Sequence, residues 1–224
     1  MTLQEQFGQI DIYLFDQILR GNIAPGMRVL DAGCGGGRNL VYLLGCALAE
    51  GYEVFGVDAD VTAVASVREM AKRLAPELPS ANFQVAGIEA MPFPDGFADV
   101  VTCNSVLHFA RNEAHMDVMV AGLWRVLRPG GMLFCRLAST IGAGDEMAFE
   151  ALGGGRFRMG HGAEWFLVDE AKLMQLTQAL GGELVDPLKT TVVQGQRCMT
   201  TWVVKKPGAE EHAFVGAGMP GLRA

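Results

Sequence analysis

The sequence predicts an α/β fold in which helices cover both faces of a doubly wound, mostly parallel sheet. Short β-rich runs such as VLDAG and VFGVD alternate with helical patterns along most of the 224 residues. Several of these runs end in a polar residue and a turn former, as parallel strands do where a loop leads into the next helix. A chain of this length favours one substantial core and therefore one domain.

Hydrophobic spacing and glycine or proline breaks predict the elements in order. A lead-in helix is expected over about Leu3 to Leu19, within an N-terminal helical segment of residues 1–24. Strands and helices then alternate at residues 27–33, 39–50, 53–60, 61–75, 82–86, 98–104, 113–126 and 132–137. A helix over 169–180 and a final pair of strands at 183–189 and 197–206 complete the prediction.

Residues 139–168 interrupt this alternation with closely spaced glycines and interleaved aromatic side chains. We interpret this segment as an inserted lid, because glycines provide hinges and aromatic residues provide an apolar cover. The predicted domain extends over residues 1–207. Residues 208–224 form a tail with weak local preference.

Composition restricts the partners and the location of the protein. A net charge of −7 without a long basic run argues against nucleic acid and membrane partners, so a small molecule is expected. The five cysteines are dispersed, and the histidines lack paired ligand spacing, which predicts buried thiols and no metal. No basic residue precedes Arg20, and no apolar run reaches the roughly 18 residues of a spanning helix. We therefore expect a cytoplasmic protein, and the sequence carries no signal for its oligomeric state.

The stretch VLDAGCGGGRN predicts a ligand loop between a strand and a helix. The glycines of residues 33–37 allow close approach to the backbone. A dinucleotide fingerprint, G-x-G-x-x-G, would require a glycine at Arg38, and Asp31 would repel a pyrophosphate. Asp58 ends the next strand, where a carboxylate accepts hydrogen bonds from a ribose diol. These features indicate a nucleoside ligand that carries positive charge and no phosphate.

Four ordered segments, VLDAGCGGGRN, VFGVDAD, VAGIEAMPFPDGFADVV and LWRVLRPGG, resemble motifs of the class I S-adenosylmethionine-dependent methyltransferase family. The resemblance covers about residues 29–137. It implies a Rossmann-like sheet of seven strands with an antiparallel last strand, S-adenosylmethionine as cofactor, and methyl transfer to a small-molecule acceptor. The cofactor-binding residues that it implies are Asp31, Gly33, Gly35, Gly37, Asn39, Asp58, Ala59, Gly87, Ile88, Glu89 and Asn104.

The resemblance also implies which part of the cofactor each of these residues contacts. The glycine loop would run alongside the methionine part of the cofactor. Asp31 would lie near the positive charge of the cofactor, and Asn104 would lie at its methionyl end. Asp58 would hold the ribose, Ala59 would lie beside adenine, and residues 87–89 would border its edge. Many relatives carry an acid where this chain has Gly87. Its absence leaves the contact with the adenine amino group to backbone or to Glu89, and one such hydrogen bond contributes about 0.5–1.5 kcal/mol.

The acceptor side has three candidate residues. His108 fits a residue that orients or deprotonates the acceptor, and it fits a capping or packing histidine equally well. His161 and Trp165 in residues 139–168 either border the acceptor pocket or anchor the loop. Scattered arginines, Arg136 among them, are more typical of surface pairing than of an anionic acceptor site.

Two other function classes remain open at this stage. A non-catalytic S-adenosylmethionine-binding protein would keep the same loop. A nicotinamide-dependent oxidoreductase would share the sheet and the ribose carboxylate, although Asp31 and Arg38 count against it.

Overall fold

A mixed sheet of eight strands forms the centre of the computed structural model, which describes residues 2–208. The strands of the described residues are β1 (Arg28–Ala32), β2 (Glu53–Asp58), β3 (Phe83–Val85), β4 (Ala98–Asn104), β5 (Leu127–Ser139), β6 (Phe149–Gly153), β7 (Arg156–Met159), β8 (Glu164–Phe166), β9 (Glu183–Leu184), β10 (Lys189–Val193) and β11 (Arg197–Lys205). The central sheet has the order β10-β11-β5-β4-β1-β2-β3, with β9 pairing with β11. Strands β1 to β5 pair in parallel, whereas β11 is antiparallel to β5. The predicted fold class, including its antiparallel last strand, is confirmed; the main order contains the predicted number of seven strands, and β9 adds an eighth that pairs only with β11.

The strand order creates a crevice beside β1. The chain passes outwards from β1 through β2 to β3 and then returns to β4 on the other side of β1. Loops that leave the carboxyl ends of β1 and β4 therefore diverge, which is where ligands bind in open α/β sheets.

Helices pack on both faces of the sheet, as predicted. Their bounds are α1 (Leu3–Phe7), α2 (Ile12–Leu19), α3 (Val41–Glu50), α4 (Val61–Leu74), α5 (Glu113–Val126) and α6 (Glu170–Ala179). One apolar core joins α2, α3 and α4 to the sheet, and the other joins α5 and α6 to its opposite face. The side chains of Asp60, Asn112 and Asp169 cap the amino termini of α4, α5 and α6, because each accepts a hydrogen bond from a backbone N–H of the first turn.

The predicted single lead-in helix over Leu3 to Leu19 is wrong. Gly8 ends α1 with φ +61°, and a Cβ there would lie 2.7 Å from Val41 Cγ2 on α3. Asp11 then caps α2 by accepting hydrogen bonds from the N–H groups of Tyr13 and Leu14. The helical spacing continues through the break, so periodicity alone did not reveal it.

The glycine-rich segment forms a second, three-stranded antiparallel sheet of β6, β7 and β8. Ser139, where the predicted insertion begins, still belongs to β5. Arg158 on β7 forms ion pairs with Glu150 on β6 and Glu164 on β8, and the apolar side packs on Ala138 and Met199 of the main sheet. The segment is therefore a folded subsheet, and its role as a lid stays a prediction.

The last strands differ from the prediction at one place. The strand expected over 183–189 is reduced to the two residues of β9, and β10 begins only at Lys189. Pro187 lies between them, and proline lacks the N–H that a strand ladder needs. The predicted tail falls outside the described residues from 209 onwards. No helix within residues 2–208 is long and apolar enough to span a membrane.

Candidate functional site

Glycines allow the loop after β1 to pack tightly against neighbouring residues. Gly33, Gly35 and Gly37 all have positive φ, between +52° and +84°. A Cβ at Gly33 would overlap Val106, and one at Gly37 would overlap Met70, whereas Gly35 faces open space. The first and third glycines thus pack the loop, and the second leaves a free approach to its backbone.

Asp58 closes this loop from the end of β2. Its Oδ2 accepts a hydrogen bond from Gly35 N at 2.8 Å, and its Oδ1 accepts one from Asp60 N at 2.9 Å. A carboxylate oxygen has two acceptor sites, so each oxygen retains one for a ligand hydroxyl. The carboxylate is half-buried and held in place, as a group that receives a ribose diol must be.

Asp31 lies beneath the loop, buried to 1% exposure, and its Oδ1 accepts a hydrogen bond from Thr102 Oγ1 at 2.7 Å. Burial raises the pKa of this carboxyl to about 6, although the Thr102 hydroxyl and the charge of Arg38 act in the opposite direction. A buried carboxylate stripped of water interacts strongly with any cation brought to the loop.

A pocket of about 260 Å³ opens beside these groups. Its lining residues are Gly33, Asp58, Ala59, Ala86, Gly87, Ile88, Glu89, Val106, Phe109, His115 and Met119. Six of the predicted cofactor residues, Gly33, Asp58, Ala59, Gly87, Ile88 and Glu89, therefore share one cavity. Its walls are mainly apolar, with carboxylates at two places, which matches a nucleoside better than a phosphate.

Asn39 and Asn104 lie beside the pocket rather than in its lining. Asn39 is buried and its Oδ1 accepts a hydrogen bond from Asp11 N, so its side chain holds the N-terminal segment. Asn104 ends β4, and its Oδ1 accepts hydrogen bonds from Arg38 Nη2 and Ser105 Oγ, both at 2.9 Å. Ser105 has φ +65°, the one positive value among the described non-glycine residues, and marks the strained exit from β4.

Three neighbouring strands carry buried polar atoms that lack a hydrogen-bond partner within residues 2–208. These atoms are Asn104 Nδ2, Arg136 Nε and Thr201 Oγ1. Arg136 is the register partner of both Asn104 and Thr201, so the three side chains form a row on one face of the sheet. Arg136 Nη1 also forms an ion pair with the buried Asp11 at 2.5 Å.

The three predicted acceptor-side residues meet in one aromatic cluster. The His108 ring lies 4.5 Å from the Trp165 ring, and the His161 ring lies 5.1 Å from Trp165. His108 is 3% exposed, its Nδ1 has no hydrogen-bond partner among residues 2–208, and burial lowers its pKa to about 4. Its neighbour Phe109 lines the pocket, so the cluster stands beside the proposed nucleoside site.

The sequence predicts buried cysteine thiols, and Cys34 agrees with this prediction. Cys34 is buried beneath the loop, and burial raises the pKa of its thiol, which makes it a poor nucleophile. Sequence reasoning missed His115, Asp11 and Arg38 as contributors to the site. His115 contacts Glu89, which is 26 residues away, and no spacing rule links such a pair.

The fold and the pocket define a nucleoside-binding α/β protein with a glycine loop after β1 and a carboxylate after β2. Residues 30–135 match the family described as a methyltransferase domain. This stretch, which carries the glycine loop and most of the central sheet, is similar to S-adenosylmethionine-dependent methyltransferases.

Two curated relatives are similar to this chain in sequence, and a solved structure is similar to it in fold. An uncharacterised methyltransferase of Synechocystis sp. is 34% identical over 110 residues, which cover 49% of this chain and 46% of the relative. The ubiquinone/menaquinone biosynthesis C-methyltransferase UbiE of Bordetella avium is 34% identical over 59% of this chain and 51% of its own length. The chain thus spans about half the length of these curated relatives. A Burkholderia thailandensis 1,6-didemethyltoxoflavin N1-methyltransferase shares the fold with a TM-score of 0.64 and 18% identity, covering 90% of this chain and 79% of its own.

Proposed function

We propose that the protein transfers a methyl group from S-adenosylmethionine to a small-molecule acceptor and releases S-adenosylhomocysteine. The observation that carries the proposal is the pocket between the glycine loop and Glu89, with Asp58 held at its edge. A small acceptor is supported by the name of the UbiE relative, a ubiquinone/menaquinone biosynthesis C-methyltransferase, and the structural neighbour from Burkholderia thailandensis holds the small molecule 1,6-didemethyltoxoflavin.

The residues of the pocket fit the cofactor group by group. The free lone pairs of Asp58 would accept hydrogen bonds from the ribose hydroxyls, and Gly35 leaves room for the chain that carries the sulfur. Asp31 would place a negative charge beneath the positively charged end. The apolar side chains of Ile88, Val106 and Met119 would cover the base.

When bound, the cofactor supplies a methyl group activated by the sulfonium charge. The protein then has to align an acceptor atom in line with that methyl and exclude water. We assign His108 to orientation of the acceptor, because its buried Nδ1 has no partner in the part of the chain that the structure describes. A base with a pKa of about 4 accepts a proton weakly at neutral pH, so His108 is suited to holding a hydrogen bond more than to deprotonation.

Calorimetry and product analysis test the function in two steps. The full chain should bind S-adenosylhomocysteine and should not bind NAD⁺, since Asp31 disfavours a pyrophosphate. Mass spectrometry should then detect S-adenosylhomocysteine when S-adenosylmethionine is supplied with a panel of quinols, phenols, carboxylic acids and heteroaromatic amines. Binding without turnover on the whole panel would instead support the non-catalytic S-adenosylmethionine-binding protein.

A further inference from the structure

A groove runs along helix α6, between the helix and the strand β9 that follows it. Its volume is about 780 Å³, compared with about 260 Å³ for the pocket beside the glycine loop. Met174 in its wall is 43% exposed, although its side chain is apolar. The lining residues are Ala171, Met174, Gln175, Thr177, Gln178, Gly182, Glu183 and Leu184. Of these eight described residues, Glu183 is the one that carries a charge.

The polar groups of this groove are already satisfied. The buried hydroxyl of Thr177 donates a hydrogen bond to Leu173 O at 2.8 Å and accepts one from Trp202 Nε1 at 2.9 Å. Within residues 2–208, no lining residue has a buried side-chain N or O atom that lacks a partner. Sites for polar small molecules usually add a few polar groups that fix the orientation of the ligand. The groove therefore fits an apolar stretch of polypeptide better than a polar small molecule.

Strand β11 ends beside this groove. Its last residue, Lys205, is the register partner of Glu183 in β9. A Cβ at Gly182 would overlap Val204 Cγ1 and would lie 3.5 Å from Lys205 O, so the end of the groove packs directly on the end of β11. Residues 209–224 follow only a few residues later in the chain.

These following residues include a segment whose composition matches the groove. Residues 213–222, AFVGAGMPGL, carry no charge and include the apolar side chains of Phe214, Val215, Met219 and Leu222. An extended chain spans about 3.3 Å per residue, so residues 208–212 can bridge about 16 Å. The part of α6 that lines the groove is about 11 Å long, at 1.5 Å per residue. The segment is thus long enough to reach the groove and to follow the helix.

We propose that residues 213–222 bind in the groove along α6 of their own chain. A short flexible tether gives the segment an effective concentration in the millimolar range at the groove, so even a weak contact is populated. A second copy of the chain would have to bind from a much lower concentration. This inference concerns a surface away from the pocket described above and does not depend on the proposed methyl transfer.

Removal of the segment is the first test. A chain that ends at Gly208 should melt about 2–4 °C below the full chain, because the apolar wall of the groove becomes exposed to water. Hydrogen exchange should locate the change. The amides of residues 171–182 should exchange faster in the shortened chain, whereas those of α3 should exchange at the same rate in both. The full-length double variant Phe214→Asp/Leu222→Asp keeps the chain length and should reproduce both effects.

A substitution in the groove tests whether the segment contacts α6. Met174→Lys places a charge in the apolar wall, so removal of residues 209–224 should lower the melting temperature of this variant by less than 1 °C. Leu48→Lys is the matched control, because Leu48 is an exposed apolar residue on another helix, α3. In this control the removal should still lower the melting temperature by about 2–4 °C.

A synthetic peptide of residues 209–224 provides a direct measurement. Added to the shortened chain, the peptide should restore the melting temperature and the slow exchange of residues 171–182. Calorimetry should show that Met174→Lys weakens binding of the peptide at least tenfold and that Leu48→Lys leaves it unchanged.

Three results would overturn the proposal. The first is that removal of residues 209–224 changes neither the melting temperature nor the exchange of α6. The second is that the removal lowers the melting temperature equally in the Met174→Lys and Leu48→Lys backgrounds, which would place the segment elsewhere. The third is a full chain that sediments as a dimer and a shortened chain that sediments as a monomer, which would show that the segment binds a second copy.

Discussion

Asp31 is expected to destabilise the free protein at neutral pH, and Asp31→Asn should reveal by how much. The carboxyl is buried, and its pKa of about 6 compares with an ordinary value of 3.8. At about 1.36 kcal/mol per pH unit, this difference corresponds to about 3 kcal/mol against the ionised form. Asparagine has no charge to bury, and its Oδ1 still accepts the Thr102 hydrogen bond.

The sign of the pH dependence follows from the raised pKa. A group that holds its proton more tightly in the folded state contributes stability below its unfolded pKa of 3.8 and loses it as the pH rises through about 6. Between pH 4.5 and pH 7.5 the native protein should therefore lose about 2 kcal/mol through Asp31. The variant lacks this loss. Burial of the new amide N–H costs the same free energy at every pH. The difference in pH dependence between the two proteins therefore reports on the Asp31 carboxyl alone.

Urea unfolding of both proteins at several pH values measures this difference. Cofactor binding should respond in the opposite direction, because a cation near Asp31 favours the ionised carboxylate and expels its proton. We expect S-adenosylmethionine affinity to rise between pH 5 and pH 7.5 in the native protein and to stay flat in Asp31→Asn. The exposed Asp95→Asn is the control. If the free energy of unfolding changes equally with pH in the native protein and in Asp31→Asn, the reasoning is refuted.

Three further predictions concern the loop, the ribose contact and the aromatic cluster. Asp58→Asn should weaken S-adenosylhomocysteine binding by about 1.5–3 kcal/mol in calorimetry, the range for hydrogen bonds to a charged group, and unchanged affinity would remove Asp58 from the site. Gly33→Ala, with φ +81° and an overlap with Val106, should lower stability by more than 1 kcal/mol in chemical unfolding. Gly45→Ala, inside α3 with open space around it, should raise stability by up to about 1 kcal/mol. A loss of stability in this variant would contradict the prediction. Trp165→Ala should expose His108, so that its pKa rises from about 4 towards 6.5 in an NMR titration; an unmoved pKa would mean that other residues bury the ring.

The sequence was most informative where local pattern and sheet topology agree. Strand β4 and helix α5 begin and end at the predicted residues, because the pattern of apolar residues marks both. Prediction failed where a contact across the fold determines local structure. Gly8 breaks the first helix, and a side chain at this position would overlap Val41 on α3.

The pocket that we propose for the cofactor was predictable for a similar reason. Its main contributors follow the carboxyl ends of successive parallel strands, so their order in the sequence indicates that they meet. The row of Asn104, Arg136 and Thr201 depends on the register of three strands, which the sequence does not specify. Asn39 lies in a motif-like stretch, from which a ligand contact was predicted. In the structure its side-chain oxygen accepts a hydrogen bond from Asp11 N.

Helix α2 is attached mainly to residues that are synthesised much later. Tyr13 Oη lies 3.0 Å from Thr191 Oγ1, and Gln17 and Arg20 both donate hydrogen bonds to Asp186. Contacts that span so much of the chain are slow to form, because a long loop must close before any of them is made. During translation, the hydrogen bonds of α2 to Asp186 and Thr191 therefore form only after almost the whole domain has left the ribosome.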